Sequence, residues 1–334
     1  TEMPDFGSYD CDAVSPAIEA LSDDARGWLM DLIEFETVQG NEAEAQAYMK
    51  DLLGELGFEP EYREIPDALF DDPEYSHGEN EQSYDGRHNL VTNWGADDGR
   101  SVIVQSHMDV VPGGDWDEAF DATWDGEFVH GRGAMDAKGQ IVMKILAMKA
   151  LMELGFEPAG RIQSQIVIEE EVGGNGALAL IRQGCEADGV IVLEGTTFDV
   201  FPANRGAIWF ELTTTGKSLH MGRRHEGVNA IEKMMQALDS ILDYEDQLIE
   251  QSRNYPLFER YEAPVQVCIG RIKGGDWPSM VAGECTVEGG VGFLPNKSMD
   301  QIKDELRAAI ESVDDEWLQE HYSLSYPKLH NDAY

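Results

Sequence analysis

Apolar residues recur at helical spacing early in the chain. Ile18, Leu21, Ala25, Trp28, Leu29, Leu32 and Ile33 line one face of a helix predicted over residues 16–38. A second amphipathic helix is predicted over 42–57, with Asn41 as N-cap and Gly57 as stop. Residues 64–88, with Pro, Asp and Gly interspersed, read as a long surface excursion. Short apolar runs then alternate with helical patterns. Val102–Val104 leads to Ser106 and His107, and a helix follows over 138–154 with Ile141, Ile145, Met148 and Leu151 near one face. The run 165–168 ends at Glu169, a short helix covers 176–183, and the run 190–193 ends at Glu194. Continuous apolar strands alternating with helices predict an α/β domain around a mostly parallel sheet covered on both faces. From about residue 205 the order becomes strand 207–215, helix 228–248, strands 265–272 and 284–293, helix 299–313 and strand 322–326. That is β-α-β-β-α-β, the ferredoxin-like split unit.

Charge narrows the partners. Lys and Arg total 24 against 65 Asp and Glu, a formal net charge of −41 over 334 residues. A general nucleic-acid binder needs the opposite footprint, and an anionic membrane surface would repel this chain. No stretch approaches the ~20 apolar residues of a bilayer span. The segment Thr1–Ser15 is polar and acidic, unlike a signal peptide, and the first residue is not Met, so the start is expected to be processed, engineered or incomplete. The acids spread from Glu2 to Asp332 in short pairs between apolar periodic segments, not in one tail. A folded protein with a wholly acidic surface is expected, adapted to molar salt in the cytoplasm. Cys11, Cys185, Cys268 and Cys285 form no C-x-x-C pair and read as buried, reduced thiols.

The strand ends carry the candidate chemistry. His107, Glu170 with Glu171, and Glu194 all follow apolar strands, and ligands of open α/β sheets bind beyond the carboxyl ends of the strands. Asp136, just before the helix at Lys138, is a fourth candidate. Taken singly, each has a plainer reading: a satisfied histidine, a helix N-cap, a solvated charge run. Asp109, two residues beyond His107, shares its strand face and can reach the imidazole. Three adjacent carboxylates after a buried strand repel one another, and a divalent cation would relieve that. One His with three carboxylates is a mixed N/O set that suits Zn²⁺ first, with Co²⁺ or Mn²⁺ as alternatives.

Four segments, S-H-M-D-V-V-P (106–112), G-R-G-A-M-D-A-K-G (131–139), E-E-E-V-G-G (169–174) and L-E-G-T (193–196), together with G-K-S-L-H-M-G (216–222) and G-V-N-A-I (227–231), resemble the M20 family of di-zinc amidohydrolases. That family includes acetylornithine deacetylases, succinyl-diaminopimelate desuccinylases, aminoacylases and glutamate carboxypeptidases. The resemblance implies a zinc-peptidase-like catalytic domain over 1–204, a ferredoxin-like α+β lid and dimerisation domain over 205–328, and the start of a return to the catalytic domain at 329–334. It implies two zinc ions per subunit. His107 and Glu194 would hold one ion, Asp136 would bridge, next to a cis peptide at Asp136-Ala137, and Glu171 would hold the second. Asp109 would orient His107, and Glu170 would be the general base toward a metal-bound water. His220, on the lid, would reach the active site of a partner subunit in a homodimer.

The family's last histidine ligand comes from a C-terminal segment, and the chain stops at Tyr334. A truncated record with an incomplete second site, empty or half occupied, is therefore expected. The expected activity is hydrolysis of the amide bond of N-acyl amino acids, acetylornithine deacetylase-like. The alternatives are a succinyl-diaminopimelate desuccinylase, a dipeptidase or carboxypeptidase, and a non-catalytic dimer scaffold. Retention of Glu170 and Glu171 argues against the scaffold. Desuccinylases tend to read R-R-G-S where this chain has Asn204-Arg205-Gly206-Ala207, and in 274–282 Ser279 and Ala282 stand where the family usually has Asn and Pro. Asn204, Arg205 and Ser279 are candidate substrate contacts; a surface ion pair for Arg205 and a plain loop role for Ser279 remain the alternatives.

Overall fold

The computed structural model describes residues 13–77, 83–96, 99–197, 199–327 and 330–334, so Cys11 and the acidic pair Asp97-Asp98 lie outside the described residues. The chain divides into two compact units, Thr1–Tyr75 with Glu81–Val200, and Ser76–Asn80 with Phe201–Tyr334.

Unit 1 contains α1 (Val14–Ala20), α2 (Ser22–Glu34), α3 (Ala43–Glu55), β1 (Pro60–Glu64), β2 (His88–Trp94), β3 (Ser101–His107), the small hairpin β4 (Thr123–Trp124) and β5 (Val129–His130), α4 (Lys138–Glu153), β6 (Arg161–Val167), α5 (Asn175–Arg182) and β7 (Gly189–Val192). The helix expected over 16–38 is two helices that meet at Leu21, and it ends at Glu34. Beyond that the chain is claimed by the sheet side: the Thr37 hydroxyl donates to the Met108 carbonyl, and Val110 N–H donates to the Thr37 carbonyl. Glu42, not Asn41, precedes α3 as its cap residue. Gly57 does end that helix, at φ 94°, a conformation open to glycine. The excursion 64–88 is not a surface feature throughout, since Ile65, Leu69, Tyr75 and Tyr84 are buried in the main core.

The five-stranded sheet runs β1-β2-β6-β3-β7. β3 pairs in parallel with β6 and β7, while β2 runs antiparallel to both of its neighbours, β1 and β6, so the sheet is not mostly parallel. One face packs on α2, α3 and α4 through Leu32, Met49, Leu53, Leu90, Ile141, Ile145 and Ile166. The opposite face is not the second apolar layer that the runs suggested. There Val91, Val167 and Leu180 form only a small cluster. The rest of that face is an amide ladder: Gln105 Nε2 donates to Gln165 Oε1 (2.8 Å), Gln165 Nε2 to Gln163 Oε1 (2.7 Å) and Gln163 Nε2 to Asn93 Oδ1 (2.9 Å). Side-chain amides that pair with one another can face a sheet interior without the cost of an unmet donor. β7 departs from expectation most: Val190, Ile191 and Val192 are 59%, 52% and 55% exposed at the sheet edge.

Unit 2 contains β8 (Gly206–Thr215), α6 (Ala230–Ser252), β9 (Gln266–Gly274), β10 (Glu284–Phe293), α7 (Met299–Glu311), α8 (Glu316–Glu320), β11 (Tyr322–Ser325) and β12 (His330–Asn331). Its sheet order β11-β8-β10-β9, antiparallel throughout, is the ferredoxin-like arrangement read from the sequence. The core joins Ile208, Phe210 and Leu212 of β8 to Met234, Ile241 and Leu248 of α6 and to Ile302, Leu306 and Ile310 of α7. Residues 329–334 read from sequence as the start of a return; His330 and Asn331 pair with Ile208 and Ala207 of β8. Asn204 and Tyr334 exchange both backbone hydrogen bonds, at 2.9 and 3.0 Å. The cysteines other than Cys11 are free thiols, but only Cys285 is buried; Cys185 is half-buried and Cys268 exposed. Among the described residues no helix is long and apolar enough to cross a membrane.

Candidate metal centre

Four separate segments of unit 1 deliver the candidate donors. His107 ends β3 and is 1% exposed. Its Nδ1 lies 2.8 Å from the Asp109 backbone carbonyl, which can only accept, so Nδ1 carries a proton and Nε2 is presented to the carboxylates. Nε2 lies 2.9 Å from Asp136 Oδ1 and 3.6 Å from Glu194 Oε2. Asp136 sits in the turn before α4, and its peptide bond to Ala137 is cis. It does not cap that helix, whose N-cap is Ala137 with no side-chain bond. Gly139 makes the turn possible, because a Cβ there would lie 2.2 Å from the Ala134 carbonyl oxygen. Glu194 follows β7, held by Leu193 N–H bonding to the Gln105 carbonyl (2.8 Å).

The loop between β6 and α5 brings Glu170 and Glu171. Both of its ends are tied to Asn89, which accepts from Ile168 N–H (3.1 Å) and donates to the Gly176 carbonyl (2.8 Å). The Asp109 carboxylate takes the amide of Glu170 at 3.0 Å and that of Glu171 at 2.9 Å, while its Oδ1 stands 3.6 Å from His107 Nδ1. The imidazole is thus fixed by the Asp109 main chain, and the Asp109 side chain holds the glutamate loop. Oxygens of Asp136 and Glu171 and a His107 nitrogen all lie within 4.8 Å of one another. Glu170, the preceding residue on that loop, keeps part of its surface exposed.

The electrostatics express crowding of negative charge. Burial opposes protonation of His107, yet the nearby carboxylates of Asp109, Asp136 and Glu194 outweigh it and hold the imidazole well above its usual pKa. The same bond holds Asp136 below the ordinary carboxylate value. Desolvation first, then the charges of Glu194, Asp109 and Glu171, push Glu170 up to about 7 against the pull of His107. Glu171 is raised by desolvation and by Asp136. Excess carboxylate charge around one imidazole nitrogen, with oxygen donors already converged, is a donor set that fits a divalent cation.

The remaining candidates lie in unit 2. His220 is exposed, and its Nδ1 accepts from Gly222 N–H at 3.1 Å. Asn204 is exposed, and Arg205 is engaged by Gln266 Oε1 (3.2 Å), the Pro264 carbonyl (3.4 Å) and the Tyr261 ring (5.6 Å). The Ser279 carbonyl accepts from Met221 N–H at 2.8 Å.

Residues 202–318 match the M20 peptidase dimerisation domain. Across 326 residues the chain is 26% identical to a probable succinyl-diaminopimelate desuccinylase of Staphylococcus aureus, covering 90% of this chain and 74% of that protein. By these two matches the chain is similar to the M20 amidohydrolases. The fold of this chain also resembles a tripeptidase from Staphylococcus aureus (TM-score 0.66, 19% identity, covering 93% of this chain and 77% of the other). It resembles equally a Bacillus subtilis dinuclear metal binding peptidase of the M20 family (TM-score 0.60, 15% identity, 94% and 77%).

Sequence reasoning missed the side chains behind the loop. Arg87, Glu42 and Asn89 are buried and carry no motif of their own. The available signal was an Arg and an Asn flanking His88 just before a short apolar run.

Proposed function

We propose that this amidohydrolase cleaves the amide bond of N-acyl amino acids in the manner of an acetylornithine deacetylase. His107, Asp136, Glu171 and Glu194 hold divalent metal, zinc before cobalt or manganese, and Glu170 is the general base. The observation that carries the reading is the convergence of the His107, Asp136 and Glu171 donors within 4.8 Å, with Glu170 on the same loop. When bound, the cation supplies Lewis-acid polarisation of the amide carbonyl and lowers the pKa of water toward about 7. Glu170 takes a proton from the attacking water and returns it to the leaving nitrogen as the C–N bond breaks. Asp109 keeps the Glu170 and Glu171 amides in place during that exchange. His220 from a second copy, in a homodimer formed through the region 202–318, donates to the carbonyl oxygen as charge develops there. A second reading, removal of a succinyl group, is favoured by the Staphylococcus aureus relative.

The test is turnover of N-acetylornithine, N-succinyl-diaminopimelate and a dipeptide by the full chain, with zinc or cobalt, in molar KCl. The highest kcat/KM is expected on N-acetylornithine; a preference for the succinyl substrate selects the second reading, and cleavage of the dipeptide alone overturns both. Glu170→Gln should lower kcat by ~10²–10⁴-fold while still binding cobalt. Undiminished turnover in that variant removes Glu170 from the mechanism.

A further inference from the structure

Glu169 opens the run of three glutamates, and its carboxylate has different partners from those of Glu170 and Glu171. It is 0% exposed and accepts from Tyr84 OH (2.6 Å), Arg87 Nη2 (2.8 Å), Asn175 Nδ2 (3.0 Å) and Gln39 Nε2 (3.4 Å). The Arg87 guanidinium is itself fixed from behind, since Nε and Nη2 make a two-pronged pair with Glu42 at 2.8 and 2.7 Å. The Glu169 backbone is left-handed, at φ 60°, where a residue with a Cβ stays only if its surroundings hold it. Immediately after this residue the Glu170 and Glu171 amides turn onto Asp109, and Gly174 N–H closes back on the Glu169 carbonyl at 2.8 Å. A glycine would adopt this turn without help. The glutamate here needs its side chain anchored, and four donors anchor it in a place where the neighbouring carboxylates would otherwise repel it.

We propose that Glu169, clamped by Arg87 with Glu42 behind it, is a positioning residue that sets the Glu170–Glu171 backbone and so aims both carboxylates at the His107 and Asp136 donors. This rests on the reading of Glu170 as base and Glu171 as metal ligand. Disturbing the clamp loosens the loop before it loosens the fold.

The test compares Glu169→Gln, Arg87→Lys and Tyr84→Phe in the full chain with Leu53→Ala, a destabilising change in the buried face of α3 at a side chain that takes no part in the hydrogen bonds above. Two readouts are taken: hydrogen exchange of the Glu170 and Glu171 amides in metal-free protein, and kcat and KM with metal added. Glu169→Gln should speed exchange at those two amides while β3 and α4 stay protected, and should lower kcat by ~10–100-fold with KM little changed. Arg87→Lys, which keeps the charge but not the two-pronged geometry, should fall between it and wild type. If Glu169→Gln does not fold, Tyr84→Phe carries the test and should move both readouts in the same direction by less. Wild-type exchange and kcat in a folded clamp variant overturn the proposal, as does an equal loss of kcat in Leu53→Ala. Where Glu170→Gln is inactive and Glu169→Gln is wild type, only this proposal falls; where Glu170→Gln is active, the underlying reading falls first.

Discussion

Lys144 is a buried lysine with three oxygen neighbours: the Gln165 carbonyl at 2.7 Å, the Ser106 hydroxyl at 2.8 Å and the Val104 carbonyl at 3.4 Å. None is a carboxylate, so burial wins and pushes the amine down to about 7 from an ordinary value of 10.5. Between those two pH values the unfolded chain holds more protons than the folded one, so stability rises with pH across that window. Below about 7 the penalty for charging the buried amine is present in full. The expected outcome is that Lys144→Met gains on wild type at pH 6.5 and loses most of that advantage by pH 9.5, at a slope of up to about 1.4 kcal/mol per pH unit. Urea midpoints of both proteins at the two pH values check it, and a constant difference would refute it. The acidic run shows the limit of reading single residues. Sequence makes Glu169, Glu170 and Glu171 equivalent members of one cluster, whereas the folded chain buries the first against Arg87 and leaves the second exposed. That sorting depends on the sign of one φ angle, which composition does not encode.

At the level of elements, the signals that the sequence carried were strongest where burial is one-sided. α6 and α7 pack one apolar face, and the strands of unit 2 alternate, so their order was readable. β1 reads Pro-Glu-Tyr-Arg-Glu and has no buried residue, so nothing in its pattern marked it; pairing with β2 makes it a strand. Gln163 and Gln165 hid half of β6 from an apolar search, because an amide ladder satisfies them. β7 misled in the opposite direction, since a Val-Ile-Val run implies two covered faces and the folded edge has neither. The candidate donor segments were legible because strand ends are where such a sheet gathers ligands, and His107, Asp136 and Glu171 do meet. An apolar edge strand is open to pairing with other chains. Ile191→Lys should therefore change the folding free energy of this chain by no more than about 0.5 kcal/mol and should reduce self-association. Ile103→Ala, in the buried part of β3, should cost roughly 2–5 kcal/mol. Denaturant midpoints and light scattering separate the two, and an equal cost at both positions would contradict the exposed edge.

Over the whole molecule, the charge of −41 belongs to the surface. Among the described residues only Glu42, Asp109 and Glu169 are buried acids, and two of these share Arg87. A surface so loaded repels itself over the Debye length, about 10 Å at 0.1 M salt and about 3 Å at 1 M. Stability should therefore be greater in about 3 M KCl than in about 0.1 M, through relief of that self-repulsion. Complete unfolding curves at both concentrations check this, and coincident curves would return the acids to an ordinary, salt-indifferent surface. The paired strands at the two ends of unit 2 carry a different meaning. Because Asn204 and Tyr334 exchange both backbone hydrogen bonds, the segment between them begins and ends at one place. Ends that close are the geometry in which circular permutation is tolerated. A short linker could therefore join residues 204 and 334 into a ring without disturbing the sheet between them.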